Sequence, residues 1–379
     1  MVGLRTPSAF LLLLCSAFAV AQGAAPSEGE LRTAVGKALP FVEARGKAWI
    51  DERGCVSCHQ VPSMLRCMEA SATKGFAVPR PYVEETTEWS VRWEHWTNQG
   101  AKGGKASAEA SNVDTMSALL RMKPGAAETG WGRQFRQALL GLQQPDGSWK
   151  PGGQLPQQNR PPREQKEVST LWVLLALRSD PAAAAALQKA RAFLAASPPA
   201  TSVERLVLGL VLSSEQQEGK DEALARLLAV QSKDGGWPWK IGGPSDAFGT
   251  GMALHALSSA GVSPDHPAAA GALRFLISTQ KPDGSWAVPS TRTKDGGKIK
   301  PTATDWGTES FFTSNIGVVA LTRSEPARES YGDSPDAMTR LVIAAGATWS
   351  RATAAGSEEH TSELQSHSDL VCRLLLEKK

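Results

Sequence analysis

Three copies of Gln-x-x-Asp-Gly-x-Trp constrain this chain more than any other feature: Gln143–Trp149, Gln231–Trp237 and Gln280–Trp286. The first two Gln lie 88 residues apart and the last two 49, which suits a repeat of 44 to 49 residues with a degenerate copy around Leu187–Ser197. Each copy follows an apolar stretch, such as Ala138-Leu139-Leu140 or Leu273 to Ile277, and stops it with Asp-Gly turn chemistry. A second apolar element recurs at Thr115 to Met122, Thr170 to Leu177, Thr250 to Leu257 and Ser314 to Leu321. A repeat therefore pairs an amphipathic helix that ends in the turn with a uniformly apolar helix lying inside, as a closed two-layer ring requires. The expectation is an all-α fold, an (α/α) toroid or barrel of helical hairpin repeats, with about 12 or 13 helices in roughly six hairpins.

These heptapeptides resemble the QW motif of squalene-hopene cyclases and their relatives, the terpenoid cyclase and protein prenyltransferase α/α toroids, over about residues 131 to 323. The resemblance implies that each Gln caps a neighbouring helix and each Trp stacks over it, tying outer helices together as staples. It also implies where catalysis is weakened. Cyclases protonate substrate with the central Asp of Asp-x-Asp-Asp-Thr-Ala, and the nearest text here is Ser111-Asn112-Val113-Asp114-Thr115-Met116, with Val113 at the donor position. Those cyclases stack two barrels, and this chain has residues for one. The prenyltransferase pattern needs a zinc site of Asp, Cys and His, yet no Cys lies between Cys67 and Cys372.

At the N-terminus, Arg5 precedes an apolar run from Ala9 to Val20, shorter than a membrane span, and Ala19-Val20-Ala21 offers a small-x-small cleavage pattern. Residues 1–21 are read as a secretory signal, which places the mature chain in the periplasm or outside the cell with no membrane span after processing. From Ser357 the text resembles the conceptual translation of a sequencing adapter, so 357–379 is set aside as an artefactual tail; the alternative is an amphipathic helix on Leu370, Leu374, Leu375 and Leu376. Between these ends the reading divides the chain into 22–130, a helical segment belonging to the toroid, and 131–355, the repeat toroid. A net charge of +3 over 379 residues carries no electrostatic footprint for nucleic acid.

The segment 22–130 contains Cys55-Val56-Ser57-Cys58-His59. Cys-x-x-Cys-His is the arrangement in which two thiols add across the vinyl groups of one haem c and the adjoining imidazole takes an axial position on iron. Export agrees with it, because such haem is attached outside the cytoplasm. A Cys55–Cys58 disulfide, a redox pair and half of a zinc site are the alternatives. The metal-binding residues are then His59 and a distal ligand, Met68 or His95, with Met116, Met122 and an open position behind them. Met64 has at most about 17 Å of extended chain from His59 and Met68 roughly 30 Å, so reach separates the two. His95 lies among Trp89, Trp93 and Trp96, an aromatic wall at helical spacing.

The function expected first is therefore an exported c-type haem protein in electron transfer or haem-based redox chemistry, with a redox partner protein the sequence does not name. Second is a terpenoid- or polyprenyl-binding or cyclase-like enzyme, a small apolar ligand in the barrel and Asp114 or Asp246 as acid. Third is an interaction scaffold. Asp246, Glu167 and Glu309 precede three apolar helices by similar offsets, as an acidic ring or as helix-end carboxylates. His255 reads as a core histidine and Cys67 as a buried thiol.

Overall fold

Apolar residues spaced three and four apart, interrupted by Gly and Pro, make helices here and nothing else: no strand forms among the described residues. The structure is a computed structural model that describes residues 24–54, 56, 60–96, 113–122, 125–151 and 160–287. The expected leader, Cys55, Cys58, His59, Glu309, the helix expected at 314–321 and the tail lie outside the described residues. Eleven α-helices are described: α1 (Glu28–Arg53), α2 (Gln60–Ala72), α3 (Arg80–Ser90), α4 (Val113–Leu120), α5 (Gly130–Gly141), α6 (Pro162–Leu177), α7 (Ala184–Ala195), α8 (Val203–Gln216), α9 (Lys220–Leu228), α10 (Ala247–Ser259) and α11 (Pro267–Thr279).

Burial sorts them into two layers. In α10 every residue from Ala247 to Leu254 is buried, so the first two turns of that helix have no solvent face. In α5 only Gly132, Phe135 and Leu139 are buried, and in α7 only Leu187, Ala190 and Phe193, a single stripe with water on the other side. The even-numbered helices pack on one another in order, α2 on α4, α4 on α6, α6 on α8 and α8 on α10. Each also packs on the odd-numbered helix that follows it. The fold is the expected all-α toroid, inner even helices walled by outer odd ones.

The Gln/Trp turns show how the wall is fastened. Gln143 Nε2 donates to Gly147 O of its own turn at 3.1 Å and to Ala186 O of α7 at 2.8 Å. Gln231 does the same to Gly235 O and Ala268 O of α11, at 2.8 and 3.0 Å. Gln280 reaches Gly284 O and Ala34 O of α1, at 3.0 and 2.9 Å. Each Gln thus grips a carbonyl of the next outer helix. The Trp acts on its own helix instead: the indole N–H of Trp149, Trp237 and Trp286 donates to Leu139, Leu227 and Leu276 O, ten residues upstream. Those carbonyls lie in the last turn of α5, α9 and α11, where a helix lacks its own donors.

The third turn closes α11 onto α1. Gly284 sits at φ 85, and a Cβ there would stand 2.1 Å from Lys37 O, so only glycine permits both the left-handed turn and the contact. Replacing Gln280 by alanine removes two hydrogen bonds at this junction. It should cost about 1–2 kcal/mol, and hydrogen exchange should show α1 amides losing protection before those of α6.

The α7–α8 connection has no Gln/Trp turn. Glu164 of α6 replaces it: its carboxylate accepts from the amide and hydroxyl of Thr201 at 2.8 and 2.7 Å, and from the amide of Ser202 at 2.8 Å.

Candidate functional site

Loops leading from outer to inner helices collect on one face of the ring, where the inner helices begin. Adjacent loops are bonded to each other: Ile241 N–H donates to Thr201 O at 2.9 Å, Val203 N–H to Trp239 O at 2.9 Å, and Val56 N–H to His95 O at 2.7 Å. Two groups of chemically capable residues share this face.

The first surrounds the Cys-x-x-Cys-His motif. α1 starts in a capping box between Ser27 and Glu30 and stops at Gly54, a left-handed residue at φ 58 whose N–H donates to Ile50 O. Cys55 follows directly. α2 begins at Gln60, directly after His59, so the motif fills the outer-to-inner connection where later hairpins carry Gln/Trp turns. Val56, between the two cysteines, is buried and tied to His95. His95 Nδ1 lies 2.6 Å from Trp89 O, and its ring stacks on Trp89 with centroids 4.2 Å apart and planes 14° apart. Trp96 donates its indole N–H to Ser90 O and meets Phe135 edge-on.

The remaining ligand candidates, Met68, Met116 and Met122, are buried in the core, as is Met64, which reach excludes. Met64 sits against Gly46, and Tyr82 O–H points at its sulfur at 3.8 Å. Cys67 is buried, and burial pushes its thiol far up, so it stays protonated and unreactive. His255 is half-buried on α10, less enclosed than a core histidine. Among the described residues no group of three or more His, Cys, Asp and Glu could hold a metal ion.

The second group is a buried acid–base cluster at the starts of α4, α6 and α8. Arg160 pairs with Glu204 at 2.8 Å, donates to Ser202 Oγ at 3.3 Å and lies over the Trp239 ring. Asp114, on α4, accepts from Ser169 Oγ of α6 at 3.3 Å. Burial raises its carboxyl from 3.8 to about 7, helped by the Glu204 charge and opposed by the Ser169 hydroxyl and Arg160. Near neutrality Asp114 therefore exchanges a proton inside the ring. Val113, its neighbour, is buried and apolar.

The expected acidic ring resolves into structural roles. Asp246 is the N-cap of α10, accepting from Gly249 N–H at 2.7 Å and from Trp239 N–H at 2.6 Å, while burial raises it to about 6. Glu167 lies within α6 and pairs with Arg163 at 2.9 Å and Arg205 of α8 at 3.1 Å. Sequence reading missed Arg160, Glu164 and Glu204. Their signal was a charged residue in or just before the first turn of an otherwise apolar helix.

Comparison with known proteins agrees with the architecture. A family model, the squalene-hopene cyclase N-terminal domain, matches residues 194–279, from the end of α7 through α11. No curated protein matches. Among solved structures, the type II terpene cyclase MstE from Scytonema superimposes with TM-score 0.50 at 15% identity, covering 79% of this chain and 99% of that one. An arginine variant of MstE in complex with its substrate geranylgeranyl dihydroxybenzoate gives 0.50 and 15%, covering 78% and 97%. The chain is built on a squalene-cyclase-like α/α toroid, the fold of type II terpene cyclases.

Proposed function

We propose that this is an exported c-type haem protein, periplasmic or secreted, with one haem c linked through Cys55 and Cys58, ligated by His59 and working in electron transfer or haem-based redox chemistry with a redox partner protein. The observation that carries the reading is the place of the motif. It falls between a helix stop at Gly54 and a helix start at Gln60, with the Val56 amide between the two cysteines bonded to the His95 carbonyl.

The donor set suits the group, with two thiols separated by two residues, an adjoining imidazole and an aromatic wall of Trp89, His95 and Trp96 alongside. When bound, the porphyrin supplies one-electron chemistry. The chain's own residues supply the setting. Gly54 ends α1 directly before Cys55, and the His95 carbonyl accepts from the Val56 amide between the cysteines. α11 clamps α1 through Gln280, which holds the helix that delivers the motif.

The test is production of the full chain in the periplasm of a host that co-expresses haem-maturation proteins. The expected result is a Soret band that stays with the polypeptide after denaturation, at one haem per chain. Cys55→Ala and Cys58→Ala should each lose a thioether link, and the double variant all covalent haem. Colourless protein, where a control cytochrome matures normally, overturns the reading.

A second reading, polyprenyl binding or cyclase-like acid chemistry, is favoured by Asp114, a buried carboxyl raised to about 7 among apolar inner helices. MstE accommodates a geranylgeranyl substrate in this fold. A cyclised product formed from squalene or a geranylgeranyl aromatic acid, and lost in Asp114→Asn, would carry that reading; unchanged substrate would dismiss it.

A further inference from the structure

We infer that the loop face of the ring receives the uncharged oxygen head group of an apolar ligand, with the Trp239 indole N–H as donor and the lumen between the inner helices around the ligand's body. This deepens the second reading above and rests on the ring taking an apolar molecule.

The first support is a buried donor with nothing to donate to. Trp239 is 6% exposed, and its Nε1 has no hydrogen-bond partner among the described residues. Trp149, Trp237 and Trp286 all spend the same N–H on a carbonyl of their own helix. Buried polar groups are paired in folded proteins, so an unpaired one needs a partner from elsewhere. Trp239 is also fixed in place. Its amide donates to Asp246 Oδ2 at 2.6 Å and its carbonyl accepts from Val203 N–H at 2.9 Å, which holds the residue between the starts of α8 and α10. The Arg160 guanidinium lies over its ring, 5.6 Å from the centroid.

The second support is the charge around that ring. An N–H only donates, so the ligand atom is an acceptor. The neighbouring carboxylates are committed: Glu204 to Arg160, Glu164 to Thr201 and Ser202, and Asp246 to Gly249 N–H and the Trp239 amide. Glu204 balances the Arg160 charge, so a further anion meets net repulsion, and a cation cannot accept. An uncharged oxygen remains, such as a ketone or quinone carbonyl.

The third support is the wall below. Outer helices shield the inner ones from outside solvent, so exposure within an inner helix is exposure to the lumen. Ala118 of α4, Trp172 of α6 and Gly209 of α8 are half-buried at such positions. Arg66 of α2 lies over the Trp172 ring at 5.3 Å, reaching across the inner face of α4, which packs between α2 and α6. A methyl group, an aromatic ring and bare backbone suit an apolar body.

The test uses the full chain and three probes of one tail length, titrated by equilibrium dialysis: an alkyl benzoquinone, the alkylbenzene without its oxygens, and the charged alkylbenzoate. Wild type should bind the quinone about tenfold more tightly than the hydrocarbon, and the benzoate more weakly than the quinone. Trp239→Phe keeps an aromatic ring beside Arg160 and removes the N–H. It should bring quinone affinity down to that of the hydrocarbon and leave the hydrocarbon unmoved. Gly209→Leu, where a Cβ meets only the Arg205 guanidinium at 3.4 Å, should weaken both by filling the lumen. The wild-type comparison needs no variant and stands if Trp239→Phe fails to fold. Quinone and hydrocarbon bound equally, benzoate bound most tightly, or affinities unmoved in Trp239→Phe or in Gly209→Leu overturn this inference and leave an apolar-binding ring. Failure of both quinone and hydrocarbon to bind overturns the polyprenyl reading together with it.

Discussion

Trp237→Ala lowers the unfolding free energy by about 4 kcal/mol, an expected shift of roughly 10 °C in the thermal midpoint of a ring this size. The indole is fully buried, and its N–H is the partner of Leu227 O in the last turn of α9. Truncation opens a cavity of most of a tryptophan's volume and removes the indole donor from that carbonyl, which keeps the Val230 N–H at 3.3 Å. The surroundings cannot collapse to fill it, because backbone already crowds the site: a Cβ on Gly249 would stand 2.7 Å from Trp237 O. The backbone bond from Trp237 N–H to Thr250 Oγ1 survives the substitution, so the loss measures the side chain. Trp149 and Trp286 are equally buried and make the same indole bond, so their alanine variants should fall in the same range. Trp131, half-buried against Phe135 on an outer helix, is the control, with an expected loss of about 1–2 kcal/mol. Denaturant unfolding of the four variants is the measurement. Equal losses at Trp131 and Trp237 would remove the staple role from the repeated Trp.

The repeat made the ring legible because its turns follow local rules. Asp146 and Asp283 each accept from the amide two residues on, and glycine follows at positive φ, so the pattern is written in consecutive letters. The partners of the Gln and Trp were less legible. Gln143 does not end a helix but holds Ala186 O within the first turn of α7, and Trp149 serves its own α5, not its neighbour. Sequence spacing gives the turn; which carbonyl lies within reach depends on how hairpins stack. The degenerate repeat shows the same limit. No residue near Leu187–Ser197 announces that the staple there is a carboxylate from the preceding inner helix, Glu164.

The acid–base cluster was invisible for a related reason. Arg160, Glu204 and Asp114 come from three hairpins and meet only when the ring closes around them. The Cys-x-x-Cys-His motif was the opposite case, a set of residues contiguous in sequence.

Asp114→Asn makes the fold more stable at pH 8 and leaves it unchanged near pH 4. The wild-type carboxyl titrates at about 7 in the fold, against 3.8 for an ordinary Asp. Between those values the folded chain holds a proton that the unfolded chain has released, so stability falls as pH rises through this window. The stabilisation belonging to the neutral carboxyl is complete below about pH 4 and gone above pH 7. About three pH units at 1.36 kcal/mol each give an upper bound of about 4 kcal/mol. Asparagine is neutral throughout, and its side-chain oxygen still accepts from Ser169. Asp246, raised to about 6 by burial, adds a slope of the same sign in both proteins and cancels in the comparison. Asp146 and Asp283, held below the ordinary range chiefly by the hydroxyls of Ser148 and Ser285, act with the opposite sign and only in acid. The difference between variant and wild type therefore isolates Asp114. A constant difference from pH 4 to 8 would mean that the carboxyl is ionised in the fold and that Arg160 outweighs desolvation. A rising difference would mean that the ring keeps a proton near the starts of its inner helices at a cost in stability, the kind of cost retained where the group has work to do.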